Sequence, residues 1–146
     1  MLKSSGNFKN DLLIGKSMEY KICKIIQRKY PRAYVKQGYE KGFDIIIPEI
    51  LVEVKYDKMS HDTGNYLVEI EYGGNPSGLI TTTADYWAIV DEEVIVWIMT
   101  ETLRYFVKSY QAVLLRGRGD SEEKRAYLIS KSDLQNSPLV SLQYYT

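Results

Sequence analysis

The chain has little of the chemistry on which many small proteins depend. One of its 146 residues is cysteine, Cys23, and one is histidine, His61. A single cysteine excludes an intrachain disulfide and a Cys-rich zinc site. A single histidine argues against a His-based metal cluster and against a Ser–His–Asp triad, and His61 lies in a polar segment typical of an exposed histidine. No run approaches the roughly 18 apolar residues that a membrane span needs, so we expect no membrane partner.

The size and composition indicate one folded unit. A chain of 146 residues with 45% hydrophobic and 26% charged residues is typical of a globular domain and too apolar for intrinsic disorder. We therefore predict a single domain over 1–146. The first ten residues lack the apolar centre of a signal peptide, so we expect an intracellular, cytoplasmic protein.

The net charge of zero conceals a strong segregation of charge along the chain. Residues 1–42 carry a net charge of +7, residues 43–101 carry −10, and residues 102–146 carry +3. Basic flanks around an acidic centre suit a protein that contacts a polyanion. A basic helix beside an acidic sheet edge, with no polyanion involved, explains the same pattern.

Hydrophobic periodicity predicts a helix, then a β-hairpin, then further strands and helices. The first helix ends at Pro31, and Thr100 is placed to cap a later helix. Segments 56–64, 73–78 and 116–124 are predicted to be loops or turns. Predicted helices cover 8–30 and 101–110, with a short one starting at Ser132, and predicted strands cover 33–36, 43–47, 50–55, 66–72, 86–90, 94–99 and 126–130. This order predicts an α/β or α+β fold, with a mixed β-sheet flanked by helices and an N-terminal helix followed by a β-hairpin.

The predicted hairpin brings charged side chains together. If Pro48 and Glu49 form a two-residue connection, the numbers of cross-strand partners add up to 97. Asp44 then lies directly opposite Glu53, and partners share a face of the sheet. Lys55 lies two residues beyond Glu53, so it shares that face too. Pro-Glu is not a favoured two-residue turn, but a one-residue change of register would still leave Glu53 and Lys55 together.

Two carboxylates at this position need compensation. Like charges directly opposite each other are destabilising, and an ionised carboxylate near a core is costly unless it is paired. The sequence therefore predicts a divalent cation, Lys55, or both beside Asp44 and Glu53. Mg²⁺ prefers hard oxygen donors of this kind.

The first helix carries a second acid in an apolar setting. Glu19 shares a helical face with Gly15, Ile22 and Ile26, and an acid on an inward face needs a partner. Two interpretations stay open. Glu19 points toward the Asp44, Glu53 and Lys55 cluster, or it is turned to the edge and pairs with Lys16 or Lys24.

These residues carry a resemblance to a known family. The pattern resembles that of the PD-(D/E)XK nuclease superfamily. It consists of a helix that bears Glu19, then Asp44, eight further residues and Glu53-Val54-Lys55. That group includes restriction enzymes, Holliday-junction resolvases and phage endonucleases. The similarity covers roughly residues 8 to 99 and implies a restriction-endonuclease-like core. Phe43 stands where the name of the motif has proline.

A weaker similarity points to the phage-type members of that superfamily. It rests on Thr63-Gly64-Asn65, Glu69 and Ser77-Gly78. It implies an intracellular setting in a bacterium or a phage-infected host. The expected substrate is DNA, either branched or junction DNA or a specific site.

The resemblance also implies the chemistry of the site. Asp44, Glu53 and the backbone carbonyl of Val54 would hold Mg²⁺, for which Mn²⁺ would substitute, and Glu19 would position a second ion or a water. Lys55 would orient or help to deprotonate the attacking water and stabilise the transition state. The expected activity is Mg²⁺-dependent endonucleolytic hydrolysis of phosphodiester bonds that leaves a 5′-phosphate and a 3′-hydroxyl. A domain this small that cuts both strands needs two active sites, so we expect a homodimer.

Five basic residues are candidates for DNA contact. Lys21, Lys24 and Lys29 belong to the basic first helix, and Arg116 and Arg118 lie in a glycine-containing loop where the backbone can approach a phosphate. An ordinary solvated helix face and hairpin loop explain them equally well.

Two other functions remain to be distinguished from the nuclease. A nuclease-fold DNA-binding module that has lost catalysis is the first, although the intact Asp44, Glu53 and Lys55 argue against it. A small metabolic enzyme is the second, and the lack of a Gly-rich nucleotide-binding motif argues against that class.

Overall fold

The chain folds into helices and two β-sheets. The computed structural model describes residues 4–36, 45–48, 50–116 and 120–145, with side chains in the first helix from Gly15 onward. The elements of the first part are α1 (Ser4–Ile26), β1 (Tyr34–Val35), β2 (Ile45–Ile47), β3 (Ile50–Tyr56), α2 (Ser60–Thr63), β4 (Asn65–Tyr72) and β5 (Asn75–Pro76).

The second part continues both sheets. Its elements are β6 (Tyr86–Val90), β7 (Val94–Met99), α3 (Thr100–Phe106), a 3₁₀ turn (Val107–Ser109), β8 (Val113–Leu115), β9 (Lys124–Ser130), α4 (Lys131–Gln135) and β10 (Ser141–Tyr144). Among the described helices, none combines the length and the apolar character that crossing a membrane requires.

A six-stranded mixed sheet organises the fold. Its strand order is β1-β2-β3-β6-β7-β10, with β3 and β6 parallel and the other neighbours antiparallel. The second sheet is antiparallel, with order β5-β4-β9-β8. The predicted α+β class, the mixed sheet and the helix preceding the hairpin are confirmed. The separation of the predicted strand 66–72 into a second sheet was not foreseen.

The two faces of the mixed sheet pack against different layers. On one face, Val52 and Val54 of β3 lie in a core with Ile22 and Ile26 of α1, which we call the helix-facing core. On the other face, residues of β6 and β7 pack with residues of the second sheet and α3. This second core contains Trp87, Ile89, Val96, Ile98, Tyr66, Val68, Ile129 and Leu103. Successive residues of β3 therefore point into different layers.

Several predicted element boundaries and roles are wrong. α1 ends at Ile26 rather than at residue 30, and turns carry the chain on to Tyr30. Segment 56–64 contains the short helix α2. Thr100 does not cap α3, because its hydroxyl donates a hydrogen bond to the Ala84 carbonyl, 2.7 Å away. The strand over 126–130 is not the last, since β10 follows it.

Candidate functional site

The hairpin has the predicted register. Ile47 pairs with Ile50 and Ile45 with Val52 in an antiparallel ladder, so partner numbers add up to 97. The unfavourable Pro-Glu connection does not shift it, because this register keeps Ile45 and Ile47 of β2 on the helix-facing side with the valines of β3. Asp44, which the prediction placed opposite Glu53, lies outside the described residues.

Glu53 and Lys55 lie together on one face of β3, as their spacing predicts. The Lys55 Nζ atom is 3.1 Å from the Glu53 Oε2 atom. The Glu53 side chain is only 6% exposed, whereas that of Lys55 is 44% exposed. A buried carboxylate needs a partner of opposite charge, and Lys55 supplies one whose amine still reaches solvent.

Trp87 lies next to this pair on the neighbouring strand β6. It is the partner of Glu53 on the parallel strand β6, and it is fully buried in the second core. The Lys55 Nζ atom lies 5.8 Å from the centre of the Trp87 ring, a distance at which a cation and an aromatic face attract each other. The lysine amine is thus held between a carboxylate and an aromatic ring.

Thr82 is a third member of the site that the sequence did not predict. Its hydroxyl donates to the Glu53 Oε1 atom at 3.1 Å, and it is buried. The two residues are 29 positions apart, and no spacing signal within Thr81-Thr82-Thr83 singles out the middle one. Only the parallel pairing of β3 with β6 brings them together.

Arg104 of α3 fixes the segment that carries Thr82. Its guanidinium donates to the backbone carbonyls of Leu79 and Thr82, at 3.0 and 3.2 Å. It also contacts Glu101, one turn earlier in α3. These bonds attach the turn before β6 to a helix.

Glu19 is buried, as the inward-facing interpretation requires, at 9% exposure. Its carboxylate also contacts the Lys16 amine at 3.1 Å, the pairing that the other interpretation named. Helix α1 packs on the face of β3 that carries Val52 and Val54, opposite the face of Glu53. This packing argues against contact between Glu19 and Glu53, and a role for Glu19 in catalysis stays a prediction.

Of the two carboxylates predicted to hold the metal together with the Val54 carbonyl, the described residues include Glu53. Glu53 offers the hard oxygen donors that Mg²⁺ prefers. The Val54 side chain is buried in the helix-facing core, and its backbone carbonyl stays a ligand that only the resemblance implies. Within the described part of the chain there is no group of three His, Cys, Asp or Glu side chains placed to hold a metal ion. Asp44, outside those residues, is the second carboxylate of the predicted set.

The predicted DNA-contacting lysines are exposed on and just after α1. Lys21, Lys24 and Lys29 all face solvent. The Lys21 amine lies 5.8 Å from the Tyr145 ring centre, and the Lys29 amine lies 5.5 Å from that of Tyr30. Their positive charge is therefore available at the surface.

Arg116 is exposed in a different setting. Its guanidinium donates to the Ser121 carbonyl at 3.0 Å, and it lines a pocket with Arg125 and with three acids, Glu71, Glu122 and Glu123. The three acids outnumber the two arginines, which opposes phosphate binding at this position. Arg118 lies outside the described residues.

Glu69 and Ser77-Gly78, two of the three segments on which the weaker resemblance rests, meet at one turn. The Ser77 hydroxyl donates to the Glu69 Oε2 atom at 2.7 Å. Gly78 has φ +54°, and a Cβ atom there would lie 2.1 Å from the Glu69 carbonyl oxygen, so only glycine fits. Leu79 then donates its N–H to that same carbonyl. This turn begins the segment that leads to Thr82.

A second buried carboxylate, Asp91, lies just beyond the carboxyl end of β6. It accepts hydrogen bonds from the backbone N–H groups of Glu93 and Val94, and Tyr66 and Lys131 contact its other oxygen at 3.0 and 2.8 Å. Burial acts to raise the pKa of Asp91, but the bonds from Lys131 and these N–H groups outweigh it and lower that pKa. No spacing in the sequence indicates this cluster, which joins residues far apart in the chain.

Comparison of the chain with family models, with curated proteins and with solved structures finds no match. The functional interpretation therefore rests on the chemistry and geometry of these side chains.

Proposed function

We propose that the protein is a Mg²⁺-dependent DNA endonuclease with its active site at Glu53 and Lys55. One observation carries the proposal: a buried carboxylate and a half-exposed lysine amine lie 3.1 Å apart on one face of a central strand. They stand on a hairpin with the register predicted for the Asp44, Glu53 and Lys55 cluster. This is the arrangement expected from the similarity to PD-(D/E)XK nucleases.

Lys55 is suited to act on a phosphodiester. Its amine is exposed enough to meet a substrate and is held in place by Glu53 and Trp87. A fixed positive charge at a partly desolvated site offsets the negative charge that develops on a phosphate under attack. In the proposed reaction a water oxygen bonds to phosphorus, the bond from phosphorus to the 3′ oxygen breaks, and that oxygen leaves as a hydroxyl after taking up a proton.

The proposed metal ligands are Glu53, Asp44 and the Val54 carbonyl, with Glu19 assigned to a second ion or a water. Bound Mg²⁺, or Mn²⁺ in its place, would polarise the phosphate and lower the pKa of a coordinated water. Glu53 supports this assignment because it is a buried carboxylate whose oxygens each have a lone pair beyond the one that faces Lys55 or Thr82.

The proposed path of DNA includes the exposed Lys21, Lys24 and Lys29, with Arg116 and Arg118 as a second candidate contact. We also propose a homodimer, since cutting two strands needs two active sites. Light scattering on the purified protein in solution measures the oligomeric state, and a mass of one chain would contradict the dimer.

Nicking of supercoiled plasmid tests the proposed activity. Wild-type protein is expected to convert supercoiled to relaxed plasmid with MgCl₂ and to stop when EDTA is added. Glu53→Gln is expected to be inactive, and Glu92→Gln, which changes an exposed acid that contacts His61, is the matched control.

The outcomes separate the candidate functions. DNA binding by the wild type without cleavage in either Mg²⁺ or Mn²⁺ would favour a catalytically inactive DNA-binding module. Neither binding nor cleavage, tested on duplex, flap, splayed-arm and four-way-junction DNA, would contradict both functions.

A further inference from the structure

The two oxygens of the Glu53 carboxylate have different partners. Oε2 contacts the Lys55 amine, and Oε1 accepts the hydroxyl hydrogen bond of Thr82. A terminal carboxylate otherwise rotates over a broad, roughly two-fold range. With a different donor on each oxygen, the plane of the carboxylate is fixed.

The direction of the Thr82 hydrogen bond follows from its own surroundings. The Ala84 backbone N–H donates to the Thr82 Oγ1 atom at 3.2 Å. A hydroxyl has one proton to donate and two lone pairs that accept, and an ionised carboxylate only accepts. The Thr82 proton is therefore directed at Glu53, and the incoming N–H of Ala84 orients the hydroxyl for that donation.

The backbone of Thr82 is held as well. Arg104 binds the carbonyls of Leu79 and Thr82 from helix α3, and Leu79 is fully buried in the second core. The segment that carries the Thr82 hydroxyl is thus attached to the rest of the fold, by Arg104 and by the burial of Leu79. Glu53 stands on β3 and Thr82 precedes β6, so the contact spans the parallel pair of strands.

We infer that Thr82 is a positioning residue of the active site, which orients the Glu53 carboxylate for its role beside Lys55. The inference rests on the proposed function for its catalytic consequence, although the positioning itself is a property of the free protein. Groups that orient a ligand carboxylate through a hydrogen bond typically account for a 10–100-fold effect on metal affinity or activity.

Substitutions at Thr82 test the inference in the full-length protein. Thr82→Val removes the hydroxyl and keeps a similar shape, and Thr82→Ser keeps the hydroxyl and removes the methyl group. Thr82→Ala is a second variant that removes the hydroxyl without adding a methyl group. Thr83→Val is the matched control, because Thr83 is the exposed neighbour.

The first readout is plasmid cleavage per folded molecule at a series of Mg²⁺ concentrations. Thr82→Val and Thr82→Ala are expected to lower the turnover about 10-fold or more and to require more Mg²⁺, with the affinity for DNA unchanged. Thr82→Ser and Thr83→Val are expected to match the wild type. Loss of activity in Thr82→Ser equal to that in Thr82→Val would overturn a role for the hydroxyl.

The second readout needs neither metal nor DNA. In protein labelled with carbon-13 at the glutamate carboxyl, the Glu53 resonance is assigned by its absence in Glu53→Gln. We expect Thr82→Val and Thr82→Ala to move this resonance and Thr82→Ser to leave it in place. If the Glu53 resonance is unmoved in both variants that lack the hydroxyl, the positioning role is overturned, whether or not the protein cuts DNA. If the resonance moves in those variants but the wild type does not cut DNA, the result counts against the proposed function alone.

Discussion

Among the described residues, three buried carboxylates each contact a lysine, and two of them, Asp91 and Glu53, differ in what else surrounds them. Asp91 is enclosed by two backbone N–H groups of its own turn together with the Tyr66 hydroxyl and Lys131, whose side chain is 25% exposed. Glu53 is held by side chains, Thr82 and Lys55. Its lysine is 44% exposed, so this site opens toward solvent.

The difference separates a structural carboxylate from a candidate catalytic one. Backbone donors cannot leave Asp91 without unfolding its turn, so this group stabilises the connection between β6 and β7. The partners of Glu53 are side chains that a substrate or ion can approach or displace. An acid and a lysine in contact therefore indicate function only when the lysine remains accessible and the acid is not already committed to the backbone.

The largest effect on stability is expected at Asp91. Asp91→Asn removes the charge facing Lys131 and the oxygen that accepts from Tyr66, while its amide oxygen can still accept from the Glu93 and Val94 N–H groups. Breaking a buried pair in this way costs about 3 kcal/mol. Glu53→Gln is expected to cost about 1 kcal/mol or less, because the half-exposed Lys55 can be hydrated. Urea unfolding of both variants measures the difference, and equal losses would contradict the comparison.

A smaller effect, on turnover, is expected at Glu19. Glu19→Gln preserves the shape and most hydrogen bonding, so α1 should stay packed while turnover falls about 10-fold. Lys16→Ala is the control, since it removes the observed ion pair but no acid. Cleavage rates of both folded variants decide the role. If Glu19→Gln remains fully active, Glu19 is a structural partner of Lys16.

The basic surface of α1 is expected to contribute to DNA affinity and little to chemistry. Replacing Lys21, Lys24 and Lys29 with glutamine together should weaken DNA binding and flatten its dependence on salt by up to about 0.9 per lost phosphate contact. Binding isotherms at several salt concentrations measure that slope. A slope equal to that of the wild type would move the DNA path toward Arg116 and Arg118.

The smallest expected effect is on how the free energy of unfolding depends on pH under acidic conditions. The pKa of Asp91 is lowered in the folded state, so its contribution is present above the ordinary aspartate value near 4 and is lost as the pH falls through the lower folded value. Asp57 behaves oppositely, because burial raises its pKa despite hydrogen bonds from Leu67 and Ser60. Asp91→Asn should therefore flatten the loss of stability below about pH 4, as measured by urea unfolding across that range. If the free energy of unfolding of Asp91→Asn fell at acidic pH as steeply as that of the wild type, this would contradict the lowered pKa of Asp91.

The sequence predicted what depends on local spacing. Alternation along β3 predicted that Glu53 and Lys55 share a face, and a two-residue connection at Pro48 and Glu49 predicted the hairpin register. The contacts of Thr82 with Glu53, and of Tyr66 and Lys131 with Asp91, depend on how distant strands pair, which no local pattern encodes. β8 was missed because Val113 and Leu114 are both exposed and do not alternate.

The central claim is that Lys55, and not Lys131, serves the chemistry. Its most direct measurement is Mg²⁺-dependent nicking of supercoiled plasmid by purified Lys55→Ala and Lys131→Ala, each checked for folding by circular dichroism. We predict that Lys55→Ala binds DNA and does not cleave it, whereas Lys131→Ala cleaves at nearly the wild-type rate despite a lower melting temperature. Cleavage by Lys55→Ala at the wild-type rate would contradict the account.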